Sequence, residues 1–225
     1  MTSGQLDTLK AFAFLAMVCD HVNKGLLHQA YPAMSLFGRF AFPLFAWCFA
    51  YSVVHHMRDT QRFVRTAAIG CIAVQWPFYQ VLVPHGAAIR IGSLNILATF
   101  LFAFVINQIS ANRLLREFAS PVVFIFGGVL CMGASYGWAG IGLILACIGF
   151  FRSGGVVYAG GCLGLLALCM IGSEVMVVPV VAVVLACSSV AGVAVRVPRF
   201  LPRNALYVSY VGHIWLLYFM VSLFH

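Results

Sequence analysis

Apolar runs of 14 to 22 residues follow one another along this chain, separated by short polar breaks. They fall at 6–27, 37–57, 66–84, 93–109, 120–134, 138–151, 154–171, 176–195 and 205–224. A helix that crosses a bilayer takes about 20 largely apolar residues, with a range of ~17–25. Hydrophobic residues make up 63% of the 225-residue chain and charged ones 8%, with a mean hydropathy of +1.02. A soluble domain needs roughly 25% charged residues to cover its surface. The pattern predicts an all-α fold: a polytopic transmembrane helix bundle of about nine spans, forming one integral-membrane domain over residues 1–225. The fifth and sixth runs are short, are joined by GASYGWAG, and admit tilt, a break or re-entry.

The basic residues orient this bundle. With the first inter-helix loop outside and strict alternation, the inside loops hold Arg58, Arg62, Arg65, Arg113, Arg116, Arg152, Arg196, Arg199 and Arg203. The outside loops hold Lys24 and Arg90. That bias follows the positive-inside rule and puts the N-terminus in the cytoplasm. It also accounts for the net charge of +8 through membrane topology, so no nucleic-acid partner is expected. No cleaved signal peptide is expected either, because Asp7 accompanies Lys10 ahead of the first apolar run and no small-x-small site follows it.

The eight cysteines lie in apolar runs without a CxxC pair and read as small buried hydrophobes. The stretch GGVVYAGGCLG (154–164) offers small-xxx-small spacing at Gly160 and Gly164, which predicts close helix packing. No internal repeat is evident, which weakens a transporter built on inverted halves. No histidine pair has metal-ligand spacing on one helix, so no metal is expected. No serine sits in a GxSxG elbow.

Ionisable side chains inside a membrane cost about 2.5–3.5 kcal/mol each and mark function by default. Within the runs these are Lys10, Asp20, His21, Arg39 and His213. Lys10 and His21 are eleven residues apart, close to three helical turns, so they share a face with ~16 Å between them along the axis. Asp20 and His21 are adjacent and point ~100° apart. Asp20 is therefore expected to pair with another helix, with Arg39 as the cation. A structural Asp20–Arg39 pair beside a hydrogen-bonded core histidine remains open at this point. His213, with Tyr207, Tyr210 and Trp215 around it in sequence, is expected to share a polar cavity with His21. Asn95, Thr99 and Gln75 supply neutral hydrogen-bonding groups or interhelical glue.

The segments LKAFAFLAMVCDHVN (9–23), FGRFAFPLFAW (37–47), VQWPFY (74–79), LNILATF (94–100), SYGWAG (135–140) and LYVSYVGHIWLL (206–217) occur in order. Together they resemble the TraX family, which includes the conjugative-pilin N-acetylase of plasmid transfer systems. The likeness spans nearly the whole chain and is most specific in its first two motifs. More distantly the chain resembles the membrane acyltransferase-3 superfamily, where a Lys or Arg precedes a catalytic His by eleven positions. Lys10 and His21 stand at that spacing.

The resemblance implies an acetyltransferase of the bacterial inner membrane. Its co-substrate would be acetyl-CoA, and it would transfer the acetyl group across the bilayer to an acceptor such as the α-amine of a processed pilin subunit. On this reading the thiol arm of CoA passes Lys10, while its phosphates stay among Arg58, Arg62, Arg65, Arg196, Arg199 and Arg203, with Asn95 also toward the cofactor. His21 acts as general base or as the acetyl carrier. His213, Asn95 or Arg39 donates to the oxyanion, and Asp20 orients a cation or the entering ammonium. Two alternatives stay open: O-acetylation of a surface or lipid-linked glycan, and a proton-coupled transporter that uses the same buried groups as a relay.

Overall fold

The computed structural model describes residues 1–83, 94–112, 136–169, 198–202 and 204–224. Every regular element among them is a helix: α1 (Ser3–Gly25), α2 (Pro32–Gly38), α3 (Ala41–His55), α4 (Thr60–Leu82), α5 (Ile96–Ala111), α6 (Gly137–Ser153), α7 (Val156–Cys169) and α8 (Ala205–Phe224). The runs expected at 120–134 and 176–195 lie outside the described residues.

Local chemistry sets several boundaries. A capping box opens α1: the Thr2 hydroxyl accepts from the Gln5 amide at 3.3 Å, and the Gln5 side chain accepts from the Thr2 amide at 2.8 Å. The expected single helix over 37–57 is replaced by two. Pro32 starts α2, where its missing N–H is harmless, and the chain then turns through Arg39 and Phe40 into α3. Gly38 at that turn lies so close to Asp20 that a Cβ there would overlap the Asp20 side chain. The third helix begins earlier than the expected residue 66, because Asp59 caps it by accepting from the Arg62 amide at 2.9 Å. Arg62 and Arg65 therefore sit inside α4 rather than in a loop.

Among the described residues, two stretches are long and apolar enough to cross a membrane: Pro32–His55, which combines α2 and α3, and Ala205–Leu223. The apolar helices α5 and α6 have 16 and 17 residues. At 1.5 Å per residue they reach about 24–26 Å, short of a ~30 Å hydrocarbon core; α7 is described over 14 residues. Length and composition thus support two spans, and neither nine crossings nor an orientation follows from them. Large apolar side chains nevertheless face outward, Ile72 of α4 at 78% exposure and Leu223 of α8 at 81% among them.

Contacts give the helix directions. Met1 reaches Tyr51 while Asp20 abuts Gly38, so α1 and α3 are antiparallel. Phe63 meets Phe104 at 5.0 Å and Cys71 meets Asn95, so α4 and α5 are antiparallel too. Tyr136 stacks on Phe42 and Phe151 packs on Trp47, which makes α6 parallel to α3. Helix α8 runs alongside α1 and α4 in their direction, with Asp7 touching Phe200, Gly70 touching Tyr207 and His21 touching His213. Phe42, Leu44, Trp47, Ile144 and Ile148 form the heart of a core between α3 and α6. A second core of Ala16, Met17, Val74, Tyr210 and Ile214 joins α1, α4 and α8.

Among the described residues, Cβ atoms added at Gly160 and Gly164 would meet nothing within 4 Å, whereas one at Gly70 would lie 2.5 Å from the Tyr207 ring. Close approach is used between α4 and α8 and between α1 and α2; the run at 176–195, next in sequence to the 160/164 pair, lies outside the described residues.

Candidate functional site

Helical periodicity places Lys10 toward one end of α1 and His21 toward the other. At the His21 end, α8 brings in the second histidine: His21 Nδ1 lies 2.9 Å from His213 Nε2. The two rings are nearly parallel, 12° apart with centroids separated by 5.2 Å. Phe14 and Tyr210 each pack on His213 at 5.4 Å, so aromatic contacts fix its orientation. His213 Nδ1 lies 3.2 Å from the Ser209 carbonyl oxygen one turn back.

Asp20 points away from this pair, and its partner corrects the sequence expectation. The carboxylate binds Lys24 at 2.5 Å on the same helix, because an i,i+4 cation is already in reach. Arg39 instead lies beside the phenol of Tyr136 at the start of α6, with Asp20 also in electrostatic reach of that phenol. Asn23, fully buried, organises the turn beyond. Its Nδ2 donates to the Tyr31 carbonyl at 2.8 Å and to the Ser35 hydroxyl at 2.9 Å, while its Oδ1 accepts from the Tyr31 amide at 3.1 Å. Its backbone carbonyl accepts from Gln29 at 2.7 Å, holding a turn whose His28 and Gln29 have φ of 48° and 63°. A cavity of about 760 Å³ opens next to this end of α1, lined by Lys24, His28, Gln80, Val81, Tyr218 and Ser222.

Asn95, expected to serve as a ligand donor, is occupied structurally. Its Nδ2 donates to the Cys71 carbonyl and to Gln75 Oε1, both at 2.9 Å, and its Oδ1 caps α5 by accepting from Leu97 at 3.0 Å. The buried hydroxyls of Thr99 and Tyr210 have no hydrogen-bond partner among the described residues. The Ile96 amide faces the Tyr210 oxygen too loosely to form one.

At the opposite end, Lys10 lies within electrostatic reach of Asp7, Cys48 and Arg199, and His56 lies within reach of His55, Lys10 and Arg199. Asp7 is buried and accepts from the backbone amides of Phe200 and Leu201 at 3.1 Å each. It thereby ties the segment that carries Arg199 against α1. Arg58, Arg62 and Arg65 are exposed around the start of α4. Arg203, like Arg196, lies outside the described residues.

Sequence reasoning missed Lys24, Asn23, Tyr136 and Asp7. The first could have been found from its i,i+4 spacing to Asp20. The Tyr136 and Asp7 contacts join residues 97 and 193 positions apart, and no local pattern signals them.

A family model described as TraX protein matches residues 5–221. A curated relative, protein TraX of Escherichia coli, is 32% identical over 144 residues, covering 64% of this chain and 54% of the relative. The match thus spans about half of that relative's length. No solved structure matches significantly.

Proposed function

The chain belongs to the TraX family, and from that premise we propose that it is an integral-membrane acetyltransferase acting on the N-terminal α-amine of a processed conjugative pilin. The donor is cytosolic acetyl-CoA. The observation that carries the reading is one face of α1: it presents a cation, Lys10, near Arg199 at one end, and a histidine, His21, hydrogen-bonded inside the bundle at the other.

The two ends suit the two substrates. CoA is polyanionic at its nucleotide and neutral along its pantetheine arm, so Lys10, His56 and Arg199 hold phosphates while the arm lies along α1 toward His21. The amine enters from the opposite face through the cavity beside Lys24. His21 takes a proton from the amine as the nitrogen bonds to the thioester carbon. A terminal amine has a pKa of about 7.7–8.0, so modest base assistance suffices. Asn95 is engaged by Cys71, Gln75 and Leu97, and both ring nitrogens of His213 have partners. We therefore assign the oxyanion donor to the Tyr210 hydroxyl, which is buried and has no hydrogen-bond partner among the described residues. Asp20 keeps Lys24 at the cavity mouth.

We place the chain in the bacterial inner membrane with nine crossings and a cytoplasmic N-terminus as part of this proposal. The outward apolar side chains of α4 and α8 and the arginine bias of the sequence support it. The test is thiol release from acetyl-CoA by the protein in lipid nanodiscs, given a pilin N-terminal peptide. Release that needs a free peptide amine and disappears in His21→Ala is expected. Release that proceeds equally with an N-blocked peptide, or none at all, would contradict the proposal.

A further inference from the structure

A histidine acting as base must present an unshared lone pair to the substrate, and hydrogen bonds to its other nitrogen decide which atom that is. The partners on α8 decide it here. The Ser209 carbonyl only accepts, so His213 Nδ1, at 3.2 Å, carries a proton and donates to it. In the neutral ring, His213 Nε2 is then an acceptor. His21 Nδ1 stands 2.9 Å from that nitrogen, and one proton must lie between the two. It therefore belongs to His21 Nδ1, and His21 Nε2 holds the lone pair.

We propose that His213 is a positioning residue: a chain from the Ser209 carbonyl through His213 to His21 holds His21 in its Nδ1–H tautomer and makes Nε2 the base. This is the place an orienting carboxylate takes in a Ser–His–Asp triad. The adjacent carboxylate, Asp20, is paired with Lys24 and does not fill it. Phe14 and Tyr210 pack on His213 and hold it in line.

The inference rests on the acetyl-transfer reading for its chemistry, but not for its geometry. In the step, the amine nitrogen bonds to the thioester carbon and its proton moves to His21 Nε2. The resulting imidazolium keeps its Nδ1–H on His213 Nε2, where the bond becomes charge-assisted. As the C–S bond breaks, Nε2 returns the proton to the departing thiolate. The products are an acetylated amine and CoA thiol, and His213 never changes protonation state.

The test is two-bond ¹H–¹⁵N correlation spectroscopy of ¹⁵N-histidine-labelled full-length protein in nanodiscs at mildly alkaline pH. It is run on wild type, His213→Phe and His213→Gln, with peptide acetylation measured in parallel. Wild type is expected to show the Nδ1–H pattern at both His21 and His213. His213→Phe should return His21 to Nε2–H and lower kcat by roughly 10²–10⁴-fold with KM for acetyl-CoA unchanged. His213→Gln, whose side-chain oxygen can accept from His21, should keep the Nδ1–H pattern and stay within about tenfold of wild type. Nε2–H at His21 in wild type would overturn the inference, as would equal inactivity of the Gln and Phe variants. The wild-type spectrum decides the matter even where a variant fails to fold. An Nδ1–H pattern without any acetylation would leave the tautomer relay standing and remove the acetyltransferase reading.

Discussion

Replacing Asn95 by alanine separates a structural residue from a ligand. The side chain makes two interhelical hydrogen bonds, to Cys71 and Gln75, and caps α5 at Leu97, all from a fully buried position. Interhelical hydrogen bonds in membrane proteins average ~0.6 kcal/mol, and a lost N-cap costs about 1 kcal/mol. Asn95→Ala should therefore destabilise the protein by ~2 kcal/mol. Asn95→Ser, which keeps a capping oxygen, should recover roughly half of that loss. The assay is reversible unfolding in mixed micelles followed by tryptophan fluorescence, combined with KM for acetyl-CoA measured well below the transition. The expected outcome is a graded loss of stability with KM within about twofold of wild type. Unchanged stability with a tenfold rise in KM, equivalent to about 1.4 kcal/mol of binding, would refute the reasoning and return Asn95 to the cofactor.

Three further outcomes follow from the packing and the charges. Gly70→Ala forces a Cβ onto the Tyr207 ring and should lose about 1–3 kcal/mol. Gly164→Ala meets open space and should be neutral or gain up to ~1 kcal/mol of helix propensity; thermal unfolding in detergent compares the two. Asp7→Ala removes the acceptor for two backbone amides, so limited trypsin digestion at Arg199 should speed up several-fold as the segment opens locally. Lys10→Ala should raise KM for acetyl-CoA roughly tenfold, the low end of a charge-assisted hydrogen bond at ~1.5 kcal/mol, and Lys10→Arg should restore it.

Periodicity and composition make some of this structure readable in advance. An uninterrupted apolar run predicts α8 within its observed bounds, because nothing in 205–224 competes with a helix. The eleven-residue spacing puts Lys10 and His21 on one face of α1 for the same reason. The break between α2 and α3 has a local cause inside the apolar run: Pro43 in the first turn of α3 has no N–H for the Arg39 carbonyl four residues back and its ring crowds that carbonyl, so one helix cannot run through 39–40. The close packing of Gly38 on Asp20 at this break is a tertiary contact that no spacing signals. The expected Asp20–Arg39 pair gives way to Lys24 because an i,i+4 lysine on the same helix is already within reach of the carboxylate. For Asn95 the sequence leaves a ligand donor and interhelical glue both open, and its bonds to Cys71, Gln75 and Leu97 display the second role. Among the described residues Gly160 and Gly164 meet no neighbour, while Gly70, which no small-xxx-small pattern marks, sits against Tyr207. Spacing alone does not say which face of a helix is covered.

The central claim is that His21 transfers an acetyl group from acetyl-CoA to a pilin amine, and the intact mass of the pilin tests it most directly. Pilin would be purified from cells co-expressing it with the wild-type chain, with His21→Ala, or with no partner. The account predicts one added acetyl group at the pilin N-terminus with wild type, and unmodified pilin in the other two strains. Pilin acetylated to the same extent by His21→Ala, or left unmodified by the wild-type chain, would contradict it.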